Sequence, residues 1–274
     1  MPLAHINGTE IFYEQRGEGP PCIALHGGLG MDHQYLLRTL APLEEQLRMI
    51  YLDHRGNGRS GRPPMESITM EQFADDAAGL LDELGIESAI IVGHSYGGFV
   101  AQEFALRHSG RLRALILVDT TPGQLGATET PDEEQGPPIP EGMVELMSTA
   151  PASDADLAGL MRRMLPYYFH AMTPDQAEPA MAGMVFSADA MVRGFEVLAG
   201  WSSVDRLPDI TAPTLLLWGR HDLVCSLPQA TRIANRLPDA EVRVFENSGH
   251  FPFVEEPRPF FEGVREWLTR KGLV

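Results

Sequence analysis

Short apolar runs recur along the chain, and the segments between them carry apolar residues at every third or fourth position. Cys22-Ile23-Ala24-Leu25, Met49-Ile50-Tyr51-Leu52, Ala89-Ile90-Ile91-Val92 and residues 112–118 are continuous enough to be strands buried on both faces. Between them, residues 33–47 hold Tyr35, Leu36, Leu40, Leu43 and Leu47 at helical spacing. Thr69 is placed to cap a helix that carries Phe73, Ala77, Leu80, Leu81 and Leu84 and is stopped by Gly85. A further helix is predicted from Tyr96 to His108. Near the start, residues 4–7 and 10–15 flank Asn7-Gly8, a hairpin signal. The rhythm breaks after residue 120. Residues 121–140 are rich in Pro, Gly, Thr and acids and cannot continue a sheet. Residues 141–148, 154–170, 174–186 and 189–199 read as helices with many methionines. From Pro213 the alternation returns with a strand at 214–218, a helix near 228–236, a strand at 241–245 and an amphipathic helix at 258–270.

This pattern predicts an α/β fold with a mostly parallel central sheet, right-handed crossovers and helices on its flanks. Residues 1–120 and 206–274 would form that core, and residues 121–205 an inserted helical cap over one end of the sheet. A length of 274 residues suits one domain with an insertion, and it contains no internal repeat. At this size folding buries roughly three quarters of the extended chain's surface, so the core needs no staples.

Charge and cysteine content narrow the function classes. Twenty-one basic against thirty-eight acidic residues give a net charge of −17, which repels phosphate backbones and anionic lipid heads. Nucleic-acid and membrane partners are therefore not expected. The two cysteines, Cys22 and Cys225, are far apart and form no CxxC or Cys/His cluster, so no metal site is expected and both thiols read as buried apolar residues. There is no basic N-terminal region followed by an apolar run, and no stretch approaches ~20 apolar residues. A reducing cytoplasm is the expected compartment.

In an open parallel sheet, ligands bind beyond the carboxyl ends of the strands. The residues after each apolar run are therefore the candidates. They are His26-Gly27-Gly28-Leu29-Gly30, Asp53-His54-Arg55-Gly56-Asn57-Gly58, Gly93-His94-Ser95-Tyr96-Gly97-Gly98, Asp119, Gly219-Arg220-His221-Asp222 and Ser248-Gly249-His250. Gly93-x-Ser95-x-Gly97 between a strand and a helix is the sharpest signal, because a tight strand-to-helix turn lifts the serine hydroxyl clear of the sheet. A hydroxyl needs an adjacent base, and His250 is the candidate. The base needs an acid to fix its tautomer. Asp222 is that candidate, and Asp119 is its rival from the preceding strand. Asp53 reads instead as the residue that holds the Arg55-Gly56-x-Gly58 turn. Backbone N–H groups of Gly28 and Tyr96 are the expected oxyanion donors. The glycine run lacks both the Lys-Ser/Thr ending of a P-loop and dinucleotide spacing. His26 is expected to brace the oxyanion loop, His94 to face away from the site, and His54 to be structural. His221 stands beside the acid, while His5, His33, His108 and His170 lack comparable context.

With these residues in place, the chain resembles the α/β-hydrolase fold family over essentially its whole length. His26-Gly27-Gly28-Leu29-Gly30-Met31-Asp32-His33-Gln34-Tyr35-Leu36 and Gly219-Arg220-His221-Asp222-Leu223-Val224-Cys225 resemble its proline iminopeptidase branch, including the tricorn-interacting aminopeptidases; Tyr167-Tyr168-Phe169-His170 is similar too. Leu29 stands where that branch carries proline, His54 where it favours glutamine, and Tyr96 where it often has tryptophan. The resemblance implies that Ser95 attacks a carbonyl, His250 shuttles the proton and Asp222 orients His250. An acyl-enzyme would form, with no metal or organic cofactor. The implied substrate is a small molecule or short peptide, with a proline iminopeptidase-type aminopeptidase first. A carboxylesterase or an acyl-homoserine-type lactonase is the alternative, and a non-catalytic ligand receptor a further one. The oligomeric state is left open. Serine at 95 argues against the related hydrolases that use an aspartate nucleophile.

Two features of the insertion bear on substrate. No Lys or Arg lies between Arg113 and Arg162, a window holding Asp119, Glu129, Asp132, Glu133, Glu134, Glu141, Glu145, Asp154 and Asp156. These acids could meet an ammonium group, but a solvated acidic loop is the simpler expectation. Met143, Met147, Met161, Met164, Met172, Met181, Met184 and Met191 could line an adaptable apolar pocket or pack the cap itself.

Overall fold

The computed structural model describes residues 2–28, 30–123 and 136–274. Its centre is one eight-stranded sheet in the order β1-β2-β4-β3-β5-β6-β7-β8. The strands are β1 (Leu3–Ile6), β2 (Thr9–Arg16), β3 (Pro21–Leu25), β4 (Arg48–Leu52), β5 (Ala89–His94), β6 (Leu112–Val118), β7 (Thr214–Gly219) and β8 (Ala240–Phe245). The hairpin β1–β2 is antiparallel and joins β4 in antiparallel register, with Tyr13 opposite Leu52. Every later pairing is parallel, and Ala24 lies between Tyr51 and Val92 at the middle of the sheet.

Alternation explains why the central strands are apolar throughout. Cys22, Ala24, Met49, Tyr51, Ile90 and Val92 face one core cluster, shared with α1 (Gln34–Thr39) and α10 (Pro257–Arg270). Their neighbours Ile23, Leu25, Ile50, Leu52, Ala89 and Ile91 face the other. There they meet α2 (Met70–Glu83), α3 (Tyr96–Arg107) and α8 (Pro228–Ala234). Successive side chains point to opposite faces, so a strand covered on both sides must be apolar at every position. Thr69 caps α2 by accepting the N–H of Gln72 at 3.1 Å.

Between β6 and β7 the described residues form only helices: α4 (Glu141–Met147), α5 (Asp154–Tyr168), α6 (Pro174–Met181) and α7 (Ala188–Ala199), then a 3₁₀ turn at Val204–Asp209. Asp154 ties two of them together by accepting the N–H of Ala188 at 2.8 Å. Three expectations need correction. The helix expected over 33–47 is α1 followed by a separate 3₁₀ turn at Ala41–Glu45, because Pro42 has no N–H to continue the ladder. The helix expected over 174–186 stops at Met181, ahead of Gly183, whose φ is +70°. A four-residue helix, α9 (Pro252–Glu255), precedes α10 and was not foreseen. Of the irregular stretch 121–140, residues 124–135 lie outside the described residues. No helix among the described residues is long and apolar enough to cross a membrane.

Candidate active site

β5 delivers Ser95 to the carboxyl edge of the sheet. Ser95 follows the last strand residue, stands at the N-cap of α3, and has φ 53° and ψ −118°. A non-glycine residue in that region is strained and must be held by its surroundings. Here Ser95 N–H donates to the Val118 carbonyl at 3.0 Å, and the Ser95 carbonyl accepts from Gly98 N–H at 2.9 Å and Thr120 Oγ1 at 2.8 Å. Glycine at 97 is required by contact, because a Cβ there would run into the Leu25 carbonyl. The helix therefore starts directly against β3 and leaves the Ser95 side chain half-buried at the edge.

β7 delivers Asp222, and the loop after β8 delivers His250. Both are buried, and His250 Nδ1 lies 2.8 Å from Asp222 Oδ2. The other carboxylate oxygen accepts Val224 N–H at 2.7 Å and Cys225 N–H at 3.1 Å, so the acid is locked by its own turn. Trp218 Nε1 donates to the Cys225 carbonyl at 2.6 Å and ties that turn to β7. His250 N–H donates to the Tyr168 carbonyl at 2.7 Å, and the Tyr168 ring stacks on the imidazole with centroids 5.6 Å apart. The end of α5 thus grips the loop that carries His250.

His94 joins this pair to the serine turn, which corrects the expectation that it faces away. Its ring lies 4.8 Å from that of His250, and its Nε2 is 2.9 Å from the His250 carbonyl. Since a carbonyl only accepts, Nε2 carries the proton and Nδ1 accepts from the Tyr35 hydroxyl at 2.8 Å. That hydroxyl in turn accepts Gly27 N–H at 2.6 Å. One buried chain of hydrogen bonds thereby links the glycine loop, the serine turn and the His250 loop. Burial and the nearby His250 hold His94 well below the usual imidazole range.

The glycine loop is braced as expected. His26 Nε2 accepts His54 N–H at 3.1 Å, so its Nδ1 donates to the Gly27 carbonyl at 2.9 Å. Burial takes the His26 pKa down to about 4 against the pull of Asp53. Gly28 has φ +70°, and a Cβ there would strike Met31. Asp53 holds the following turn by accepting His33 N–H at 2.9 Å and Arg59 N–H at 2.8 Å. Burial raises the Asp53 carboxyl, but His33, His26 and the Arg59 N–H outweigh it and bring it to about 2.

Gly28, Ser95 and Tyr96 lie together on the wall of a cavity that opens to solvent. The opposite wall comes from the inserted helices: Met147, Met161, Met164, Tyr168, Met191 and Phe195 among others. None of the described lining residues is charged. Of the eight methionines singled out, four line this cavity, while Met143 is fully buried in the packing beneath. Phe99, Leu146 and Val224 also line it, although only their helical or loop positions were legible. Glu141, Glu145, Asp154 and Asp156 are exposed, and Glu129, Asp132, Glu133 and Glu134 lie outside the described residues.

Glu255 was missed. Its Oε1 accepts His170 N–H at 2.7 Å and Ala171 N–H at 2.6 Å, and its Oε2 accepts Gly249 N–H at 2.6 Å. It pins the end of α5 to the His250 loop, and nothing in its local sequence signals that. Asp222, Cys225 and His250 also bring one ligand-type atom each within 4.8 Å of the others. Burial first, then the charge of Asp222, push the Cys225 thiol well up, so it stays protonated and suits packing better than metal ligation.

Comparisons with known proteins agree with this architecture. A family model described as alpha/beta hydrolase fold matches residues 20–257. The chain is 30% identical to the proline iminopeptidase PfmaB of Pestalotiopsis fici, over 98% of this chain and 100% of that one. An esterase from Thermogutta terrifontis superposes with a TM-score of 0.80 at 26% identity, covering 98% of both chains. An enol-lactonase from Burkholderia xenovorans LB400 superposes with a TM-score of 0.79 at 25% identity, covering 98% of this chain and 100% of that one.

Proposed function

The chain belongs to the α/β-hydrolase fold family, and from that premise we propose that it is a serine hydrolase that cleaves small carboxylic esters or lactones through an acyl-enzyme. The observation that carries this reading is Ser95, at φ 53°, on the wall of a cavity whose described lining has no charged side chain. The His250–Asp222 pair at 2.8 Å supports it.

In this mechanism Ser95 Oγ attacks the acyl carbonyl as His250 Nε2 takes its proton. Asp222 keeps the other proton on Nδ1 and stabilises the imidazolium. The oxyanion meets the N–H groups of Gly28 and Tyr96. Tyr96 is the first residue of α3, so its N–H has no acceptor within the helix. Loss of one such donor raises the barrier by about 3–4 kcal/mol. The imidazolium then protonates the leaving alcohol. Water, activated by the same histidine, releases the acid. The inserted helices α4 to α7 act as a cap, and the apolar wall they supply receives the acyl chain.

The second reading is an aminopeptidase of the proline iminopeptidase type. The 30% identity to PfmaB and the His26-Gly27-Gly28-Leu29-Gly30 loop favour it. Against it stands the lack of a carboxylate among the described lining residues to hold a substrate ammonium. A panel of p-nitrophenyl acyl esters, acyl lactones and proline-naphthylamide separates the two. Ester or lactone turnover that Ser95→Ala abolishes, in a folded protein, is the expected result. Turnover that survives Ser95→Ala refutes the mechanism. Cleavage of proline-naphthylamide alone moves the assignment to the second reading. Stoichiometric labelling of Ser95 by a fluorophosphonate without turnover of any substrate indicates a ligand receptor on the same fold.

A further inference from the structure

Two carboxyl groups meet beneath the proposed base. Asp119 follows β6, Asp222 follows β7, and both are fully buried. Both are tied to Gly219, whose N–H donates to Asp119 at 2.9 Å and whose carbonyl accepts Asp222 N–H at 3.3 Å, and this shared anchor brings the two carboxyls together. Asp119 Oδ1 accepts Gly219 N–H at 2.9 Å, while Asp119 Oδ2 is buried without an N–H donor. Two carboxylates this close in a dry site cannot both ionise, so one proton resides between them.

The surrounding donors decide which group keeps it. Asp222 receives three N–H donors: Val224 at 2.7 Å, Cys225 at 3.1 Å and His250 Nδ1 at 2.8 Å. Asp119 receives one, from Gly219. Negative charge is better stabilised on Asp222, which leaves the proton on Asp119. The other ionisable groups near the pair do not reverse this. Glu255 from α9 adds negative charge toward Asp119, and the Cys225 thiol and Tyr168 phenol are both kept protonated by burial. His250 directs its ring proton to Asp222. Burial first, then the charge of Asp222, push the Asp119 carboxyl well above the ordinary carboxylate value.

We infer that Asp119 is held as the neutral acid and donates a hydrogen bond to Asp222, as a positioning residue acting through the Asp222–His250 pair. The kinetic part of this inference rests on the triad of the proposed function. Its consequence concerns charge. A neutral donor draws density from Asp222 and so limits how strongly that carboxylate favours imidazolium over imidazole. Without it, His250 becomes more basic, and the acid limb of the pH–rate profile moves to higher pH.

The test uses Asp119→Asn and Asp119→Ala. Asparagine retains an acceptor for Gly219 N–H and supplies an N–H₂ donor to Asp222. It also tolerates the left-handed backbone at this position, where φ is 43°. Asp119→Ala is expected to lower kcat/KM by about tenfold and to move the acid limb up by about half a pH unit. Asp119→Asn should recover most of both changes. Independently of activity, the infrared difference between wild type and Asp119→Asn at pH 7 should contain the carbonyl stretch of a protonated carboxylic acid. Absence of that band, or an Asp119→Asn variant as impaired as Asp119→Ala, overturns the inference. Ser95→Ala is run alongside. If it still turns over, the triad reading fails while the infrared result still decides the state of Asp119. If it is inactive and the band is missing, only the role given to Asp119 falls.

Discussion

Asp222→Asn is the substitution whose outcome the geometry constrains most tightly. The native carboxylate meets Val224 and Cys225 N–H groups with one oxygen and His250 Nδ1 with the other. An asparagine has one acceptor for these two tasks. Turning its N–H₂ toward the backbone would leave two N–H groups facing donors, at about 1–3 kcal/mol each. Its oxygen will therefore stay with Val224 and Cys225, and the N–H₂ will face His250. Imidazole must then accept at Nδ1 and carry its proton on Nε2, where it cannot take a proton from serine. A wrong tautomer of this kind lowers kcat by on the order of 10⁴, which corresponds to about 5 kcal/mol of barrier. The assay is kcat/KM on a p-nitrophenyl ester at pH 7.5, with a thermal melt to confirm folding. A folded variant that loses less than about thirtyfold, 2 kcal/mol of barrier, refutes Asp222 as the orienting acid and moves the role to Asp119.

Three further outcomes are expected. Glu255→Ala frees the N–H groups of Gly249, His170 and Ala171. It should lower kcat/KM by about tenfold through a misplaced His250; an unchanged kcat/KM would show that α9 does not position the base. Arg55 makes two 2.6 Å bonds to Asp76 within the core, and Arg55→Ala takes away that counter-charge and leaves the carboxyl only the amide donors of Asn7 and Gln72. A loss of about 3–5 kcal/mol is expected, read as a fall in Tm of the order of 10 °C, and a fall under 2 °C or so would contradict it. Finally, burial holds His26 neutral, with a folded pKa of about 4 against 6.5 unfolded. The unfolded chain therefore binds the proton first, and stability falls as pH drops from about 6.5 to about 4, by roughly 3 kcal/mol for this residue. Urea denaturation at pH 7 and pH 4.5 should show a smaller difference for His26→Gln than for wild type; equal differences would exclude His26 as the source.

What was legible in the chain follows from the range of the forces involved. Cys22–Leu25 and Ala89–Val92 announced themselves because burial on both faces demands an unbroken apolar run. Gly93-x-Ser95-x-Gly97 did so because the close approach of α3 to β3 writes its glycines within five residues. Pro42 was visible too, but periodicity alone carried the helix past it. Contacts set by topology left no local mark. His94 looked incidental until the fold brought Tyr35 and His250 to its two nitrogens. Glu255 is an ordinary surface glutamate by sequence and a joint between two loops by position. The Asp119–Asp222 contact arises because β6 and β7 are neighbours, a pairing the sequence implies only through the whole strand order.

The same long-range contacts determine how the two halves of the candidate site depend on each other. Tyr168 belongs to both. Its carbonyl holds His250 N–H and its ring stacks on the imidazole, while the same residue lines the apolar cavity with Met161 and Met164. On the proposed mechanism, an acyl chain that fills the cavity presses on a residue that holds the proposed base. Asp222, Glu255 and the end of α5 each hold the His250 loop by a hydrogen bond. On that mechanism, a change in the inserted helices that moves Tyr168 shifts the imidazole as well as the pocket wall, so substrate fit and proton transfer are coupled through α5. Ser95 is shielded from such movement, because its strained turn is tied to β6 and to Thr120 in the core. On this reading the nucleophile is the fixed member of the site and the base is the member the inserted helices can reach.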